Sequence, residues 1–359
     1  MLISHSKKGY LIILLVVVST IFISWFSHIN RVDAYSILEK EYSDDFAVVS
    51  VKIQYPLNNE IIDKYYKDFE LYSKNSYLKS LGKFAPVYSI IRELLKSRGF
   101  DEQFINILWC ESQFNIEAKS IANAVGLWQF MPDTARQVGL KLHEVDERKD
   151  IYASTIAFMK HFSYLYKKYN NLELAVAAYN CGVGKVDSII SRNKSRNFWD
   201  LREKGAFPKE TSAYVPKFLA ISKWSSKNQI LIDNIVNDVD NTYYIVRMNI
   251  YSKKVVNLIR TVMNDRQLVA KYNKHLKHLS SDKFDYSVNI FLDQEGLEYL
   301  VSNLSVDDEH NEKAVASILQ IDFPLEKKRT LESILLKSGN SLTSQVSIMP
   351  VVISAPFYK

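Results

Sequence analysis

The chain has 359 residues, 47% apolar and 24% charged, which is enough for more than one domain and unlike the composition of a disordered polypeptide. Only ten glycines are present, which excludes Gly-rich loop systems and Gly-dependent β architectures and favours helices. The net charge of +6 suits an anionic partner such as a cell-wall polymer or a lipid surface, while the scattered Lys and Arg residues argue against nucleic acid.

In chain order, Lys7 and Lys8 precede an uncharged apolar run over residues 9–27. About 20 apolar residues cross a bilayer, whereas a cleavable signal carries about 7–15, so residues 1–30 read as a signal anchor with the remainder outside the cytoplasm. Val32, Asp33 and Ala34 offer a small-residue cleavage site, so a cleaved signal stays open. No cysteine precedes Cys110, which excludes an N-terminal lipid on cysteine. Within residues 35–60, "AVVSVKI" reads as a short strand, and residues 61–80 as a helix. From Pro86 onward, Val87, Ile90, Ile91, Leu94 and Leu95 have the spacing of one buried helical face. Gly99 ends that helix, and Asp101 is placed to cap the next one.

Residues 151–169 repeat the pattern, with Thr155, Phe158, Met159, Phe162, Leu165, Tyr166 and Tyr169 in one stripe. "LELAVAAYN" (172–180) is a short buried helix stopped by Gly182 and Gly184, and residues 210–224 form a helix containing Pro216. After about residue 225 the pattern becomes strand (243–248), two helices, then strand (286–292); residues 296–359 have no assignable pattern. His275 and His278 have helical spacing without a nearby acidic or Cys partner, and read as solvated rather than as metal ligands. Cys110 and Cys181 are the two cysteines, and an oxidising compartment permits but does not require their pairing.

The stretch "ILWCESQFN" (107–115) runs an apolar segment straight into Glu111. A carboxylate beside a hydrophobic wall usually turns outward to water. Here other polar groups are also set into apolar segments: Gln129 between Trp128 and Phe130, and Tyr179 and Asn180 at the end of an Ala/Val helix. Buried polar groups need partners, so these insertions suggest a common cleft.

The segments "CESQFN", "KSIANAVGLWQFMPDTA", "VDERKD", "AAYNCG" and "KETSAYVPKFLA" resemble, in order and spacing, the soluble lytic transglycosylase (SLT) domain, a goose-lysozyme-like helical fold. The resemblance covers roughly residues 50–225. It implies that Glu111 is the single catalytic acid/base, that Ser120, Gln129 and Met131 line the glycan site, and that Tyr179 and Asn180 lie beside the glutamate, with Tyr214 a further candidate. Trp128 reads as core packing, and Asp146, Glu147, Arg148 and Asp150 as a charged family motif that an ordinary salt-bridged turn explains equally well. The chain departs from the family pattern at Cys110, Asn123 and Cys181, where aliphatic, Gly and Ala residues are usual. Asn123 is expected to narrow the loop before Gly126. If the AAYNCG and CES motifs meet as in the family, Cys110 and Cys181 come close enough for a disulfide to be considered. The strand–helix–helix–strand unit, with "LVAKYN" (268–273), resembles a degenerate LysM peptidoglycan-binding module; the alternative is a structural cap.

These observations imply a mainly α protein. Residues 1–30 form a signal segment, 31–85 a helical leader, 86–225 a lysozyme-like catalytic domain and 240–295 a small α+β, LysM-like unit, with 296–359 unassigned. The implied activity is cleavage of the MurNAc–GlcNAc β-1,4 bond of peptidoglycan to 1,6-anhydro ends, in the cell envelope facing the periplasm, with no cofactor and no metal. A hydrolytic muramidase of the same fold and a catalytically silent peptidoglycan-binding scaffold are the alternatives. The residues alone do not separate lyase from hydrolase.

Overall fold

In the computed structural model, the described residues are 49–237, 243–250, 252–280, 286–303, 316–320 and 346–350. The expected N-terminal signal segment lies outside them, and no helix among the described residues is long and apolar enough to cross a membrane. The described chain is mainly helical, with one small sheet.

Asn59 starts the first helix. Its Oδ1 accepts from the amides of Ile61 and Ile62 at 3.1 and 3.0 Å, capping α1 (Glu60–Asp68). A π-helical turn (Phe69–Ser73) then leads into α2 (Lys74–Ser97). The turn places Phe69 edge-on against Tyr77 and Trp224, at ring distances of 5.5 and 5.1 Å. The stripe Val87, Ile90, Ile91, Leu94 and Leu95 is buried as its spacing predicts. The helix does not begin at Pro86, however; it runs through it. In the same turn the Lys83 carbonyl accepts Tyr272 Oη at 2.8 Å and Lys271 Nζ at 3.2 Å, contacts from far along the chain.

Of the expected strand at 47–53, the described residues 49–53 form one bridge, Val51 to Phe100. Asp101 caps the following 3-10 turn through the Gln103 amide at 3.0 Å, and that turn opens α3 (Asn106–Ser112). Next come α4 (Pro132–Gln137), α5 (Ile151–Tyr169), α6 (Leu172–Cys181), α7 (Val183–Asn193), α8 (Phe198–Glu203), α9 (Lys209–Lys227) and α10 (Gln229–Asn237). Gly182, with φ +87°, ends α6 as expected, but Gly184 stops nothing: α7 begins at Val183. Phe104, Phe158, Phe162 and Phe218 fill the centre, each fully buried; a side chain of this size contributes about 1.5–3 kcal/mol. Pro216 lies inside α9, which packs against α1, α3 and α6 and so meets both motifs of the candidate site.

The strand–helix–helix–strand unit is present as β1 (Tyr243–Ile250), α11 (Lys253–Asp265), α12 (Gln267–Tyr272) and β2 (Tyr286–Asp293). The strands pair antiparallel from Tyr243↔Asp293 to Ile250↔Tyr286. A further helix, α13 (Gln294–Asn303), follows, and β3 (Ala316–Gln320) and β4 (Val346–Pro350) extend the sheet in the order β2-β1-β3-β4. Tyr244, Val246, Met248 and Ile250 with Val288, Ile290 and Leu292 form one face, packed on α11 and α13. Asn273 occupies the free edge of β2. Its Nδ2 donates to the Phe291 carbonyl at 2.7 Å and its Oδ1 accepts from the Phe291 amide at 2.8 Å, imitating a neighbouring strand.

One expectation is corrected here. His275 is not solvated but buried, with Nε2 2.8 Å from the Asn289 carbonyl, because another part of the chain covers it; His278 is exposed. Cys110 and Cys181 are both free thiols, each half-buried.

Candidate active site

Glu111 sits in the last turn of α3. Asn106, fully buried, fixes the start of that helix: its Nδ2 donates to the Gln103 carbonyl at 3.0 Å and to Ser225 Oγ at 2.8 Å, and its Oδ1 accepts from Tyr77 Oη at 2.9 Å. At the other end, Gln113 and Phe114 both adopt left-handed backbone, with φ +51° and +63°. Such residues cost on the order of 1 kcal/mol each and persist where packing dictates them. Here Phe114 stacks on Phe84 at 5.0 Å and meets the edge of Tyr77 at 5.5 Å. The sharp reversal ends the helix directly after the glutamate and leaves its carboxyl half-buried.

Tyr214 of α9 donates its hydroxyl to Glu111 Oε1 at 2.5 Å. Burial pushes the Glu111 carboxyl up to about 7; the Tyr214 hydrogen bond opposes this, Glu210 adds to it and Lys217 weakens it. A carboxyl so tuned can both give and take a proton near neutral pH. Tyr179 lies within electrostatic reach of Glu111, and its hydroxyl donates to the Trp128 carbonyl at 2.6 Å. Asn180, one residue on, accepts from Thr211 Oγ1 at 2.7 Å and donates to Glu210 Oε1 at 3.3 Å. Thus α3, α6 and α9 converge on one carboxyl.

The loop from Ala118 to Met131 joins these residues through the Trp128 carbonyl that Tyr179 holds. Ser120 Oγ accepts from the Ala124 amide at 3.0 Å. Gln129, with φ +49°, donates both amide hydrogens to loop carbonyls: Gly126 O at 2.8 Å and Ala118 O at 3.1 Å. The side-chain bonds of Ser120 and Gln129 therefore hold the loop's own shape, and Met131 is 42% exposed beside it. Trp128 is core, as its surroundings suggested: it stacks on Phe158 at 3.9 Å and donates to Thr155 at 3.1 Å. Asn123 has φ +67°, a conformation in which Asn substitutes for Gly, so the departure from the family pattern reflects the backbone; its side chain is exposed.

The charged turn is more than a surface salt bridge. Arg148, 9% exposed, pairs with both oxygens of Asp146 at 2.9 and 2.8 Å. Its Nη1 donates to the Asn123 and Phe130 carbonyls at 2.9 and 3.2 Å, tying both sides of the loop. The Arg148 carbonyl comes so close to Gly126, φ +83°, that any Cβ there would lie 1.9 Å from it.

Sequence reasoning missed Thr211, Glu210 and Lys217, although all lie in the segment that pointed to Tyr214. It also missed His161, whose ring lies 5.9 Å from that of Tyr179 and whose burial pushes its pKa down to about 4. No spacing rule marks these residues; the crossing of α9 over α3 and α6 brings them in. Among the described residues, no group of three or more His, Cys, Asp or Glu side chains forms a metal site.

Residues 89–202 match the family model described as "Transglycosylase SLT domain". Over 180 residues the chain is 37% identical to membrane-bound lytic murein transglycosylase D of Escherichia coli strain K12, covering 48% of this chain and 38% of that protein. The protein of the same description from E. coli O6:H1 gives the same values. The chain thus spans well under half the length of these curated relatives. A solved structure of an inactive mutant of the lytic transglycosylase Slt from Pseudomonas aeruginosa is 25% identical, with a TM-score of 0.32 over 45% of this chain and 25% of that one. Glu111, the 118–131 loop and the Tyr179–Asn180 pair all lie within the segment that matches the transglycosylase SLT domain.

Proposed function

We propose that this chain is a lytic transglycosylase that cleaves the MurNAc–GlcNAc β-1,4 bond of peptidoglycan, with Glu111 as its single acid/base. The observation that carries the proposal is the setting of Glu111: a carboxyl raised to about 7 by burial and held at 2.5 Å by one tyrosine hydroxyl. Protonated Glu111 gives its proton to the glycosidic oxygen as the bond to muramoyl C1 breaks. The resulting carboxylate, steadied by Tyr214, takes the proton of the muramoyl C6 hydroxyl as that oxygen bonds to C1. A 1,6-anhydro ring forms, Glu111 regains its proton and no water is consumed. Ser120, Gln129, Met131, Tyr179 and Asn180 would border the bound glycan. The apolar run at 9–27 would anchor the chain in the inner membrane with this site facing the periplasm, and the LysM-like unit would add a contact to the same polymer.

One observation favours a second reading. Glu210 lies close enough to raise the Glu111 pKa and is held by Asn180. Glycosidases that use water employ two carboxylates, so Glu210 would serve as base in a muramidase. Glu210→Gln separates the two. The single-acid mechanism predicts a change of less than about tenfold in rate, whereas losing a true base costs roughly 10²–10⁴-fold. A loss of that larger size, with Glu111 still buried and the fold intact, would favour the hydrolase.

A further inference from the structure

The sheet of the C-terminal unit has two buried faces. One packs on the unit's own helices. The other carries Arg247 and Asn289, directly opposite each other on β1 and β2, and both are buried. This second face meets the charged turn of the SLT domain. Asn289 Nδ2 donates to Asp150 Oδ2 at 2.9 Å, and His275 Nε2 lies 3.5 Å from the same oxygen. Asp150 Oδ1 meanwhile caps α5 through the Ala153 amide at 2.9 Å. Arg247 faces Glu147 electrostatically, and Glu147 Oε2 holds the Lys141 amide at 2.7 Å. Val145, two residues before Glu147, is buried in the core of the C-terminal unit. Lys274 reaches Glu117 at 3.6 Å, next to Ala118, whose carbonyl receives Gln129 and the Gly126 amide.

We infer that the C-terminal unit positions the 118–131 loop, with Asn289 as the positioning residue. Asn289 fixes Asp150; Asp150 lies two residues from Arg148; Arg148 holds the loop by the Asn123 and Phe130 carbonyls. Lys274 steadies the loop's other end at Glu117. In this role the unit is part of the active-site framework, whatever glycan it also touches. A free glycan-binding module on a tether would have no need to bury Arg247, Asn289 and His275 against its neighbour, since buried polar groups are costly unless matched. The loop's part in binding glycan rests on the function proposed above; its attachment to the C-terminal unit does not.

The test uses the full chain. Asn289→Leu removes the amide donor while keeping the branching of the side chain, and leaves Asp150 Oδ2 without it. Hydrogen exchange of amides 118–131 should speed up about tenfold, because the loop opens locally without global unfolding, while amides of α2 keep their protection. With purified peptidoglycan, KM should rise several-fold and kcat change less. The exchanged pair Asp150→Asn with Asn289→Asp, which restores an amide–carboxylate contact and keeps a capping side chain, should return both readouts towards wild type. If Asn289→Leu does not fold, Asn289→Ser supplies the same readout without forcing an apolar group into the junction. Unchanged exchange at 118–131 with a lowered melting temperature would reduce the unit to a structural cap and overturn the proposal. Faster exchange in a chain that releases no fragments even as wild type would leave the proposal standing and remove the proposed activity instead.

Discussion

Replacing Tyr214 by Phe isolates the one hydrogen bond that touches the Glu111 carboxyl. The hydroxyl donates at 2.5 Å to Oε1, so it stabilises the charged form and holds the pKa below the value that burial alone would set. Hydrogen bonds to charged groups contribute about 1.5–3 kcal/mol, and each pH unit corresponds to about 1.4 kcal/mol. Because the carboxyl is half-buried and water can partly replace the lost donor, the lower end applies: Glu111 should move up from about 7 by about one pH unit. The assay is the initial release of soluble fragments from purified peptidoglycan across a pH series. The alkaline limb, where the general acid loses its proton, should move up by that amount in Tyr214→Phe. Tyr179→Phe removes a hydroxyl committed to the Trp128 carbonyl and should leave the limb in place. A limb that stays put in Tyr214→Phe, or moves down, would refute the assignment of the limb to Glu111.

Three further outcomes follow from the same geometry. Glu111 is raised from 4.5 to about 7, so ionising it in the folded state costs stability that is absent below about pH 4.5 and complete above about pH 7. Glu111→Gln should therefore be more stable than wild type by about 1–3 kcal/mol at pH 8 in chemical denaturation, the gain vanishing near pH 4.5; a gain that grows on acidification would contradict the burial of the carboxyl. Gly126→Ala should cost more than about 3 kcal/mol, since its Cβ would meet the Arg148 carbonyl at 1.9 Å in a left-handed backbone; a near-wild-type melting temperature would show that the loop is not held by Arg148. Burial pushes the Cys110 thiol up to about 12 and raises that of Cys181, so both should alkylate slowly in the native protein at pH 8 and fully after non-reducing denaturation; a thiol count of zero would reveal a disulfide.

The helical part of the fold was legible because its large apolar residues recur at helical spacing. Val87, Ile90, Ile91, Leu94 and Leu95 are buried, as are Thr155, Phe158, Met159, Phe162, Leu165 and Tyr169, while Tyr166 is half-buried; Asp101 caps the turn it was expected to cap. Breakers were less reliable. Pro86 suggested a boundary, yet α2 continues through it. The strand–helix–helix–strand order was legible from local pattern, but its docking was not. His275 and His278 have the same local appearance, and only tertiary contact with Asp150 buries the first and leaves the second exposed. In the site, Glu111 stood out because a carboxyl was set in an apolar run. The resemblance supplied Tyr214 as a further candidate, and the crossing of α9 over α3 brings it to the carboxyl. Ser120 and Gln129, expected to face glycan, also bond within the loop and shape it; that internal role leaves no sequence pattern of its own.

The most direct test of the central claim is mass analysis of the fragments released from purified peptidoglycan by the wild type and by Glu111→Gln. The single-acid mechanism predicts anhydromuramoyl ends, about 18 Da lighter than hydrolysed ends because water is not added. It also predicts that Glu111→Gln, folded and still able to bind glycan, loses at least roughly 10²–10⁴-fold in turnover, since one group serves both proton transfers. Reducing muramoyl ends, or full turnover by Glu111→Gln, would contradict it.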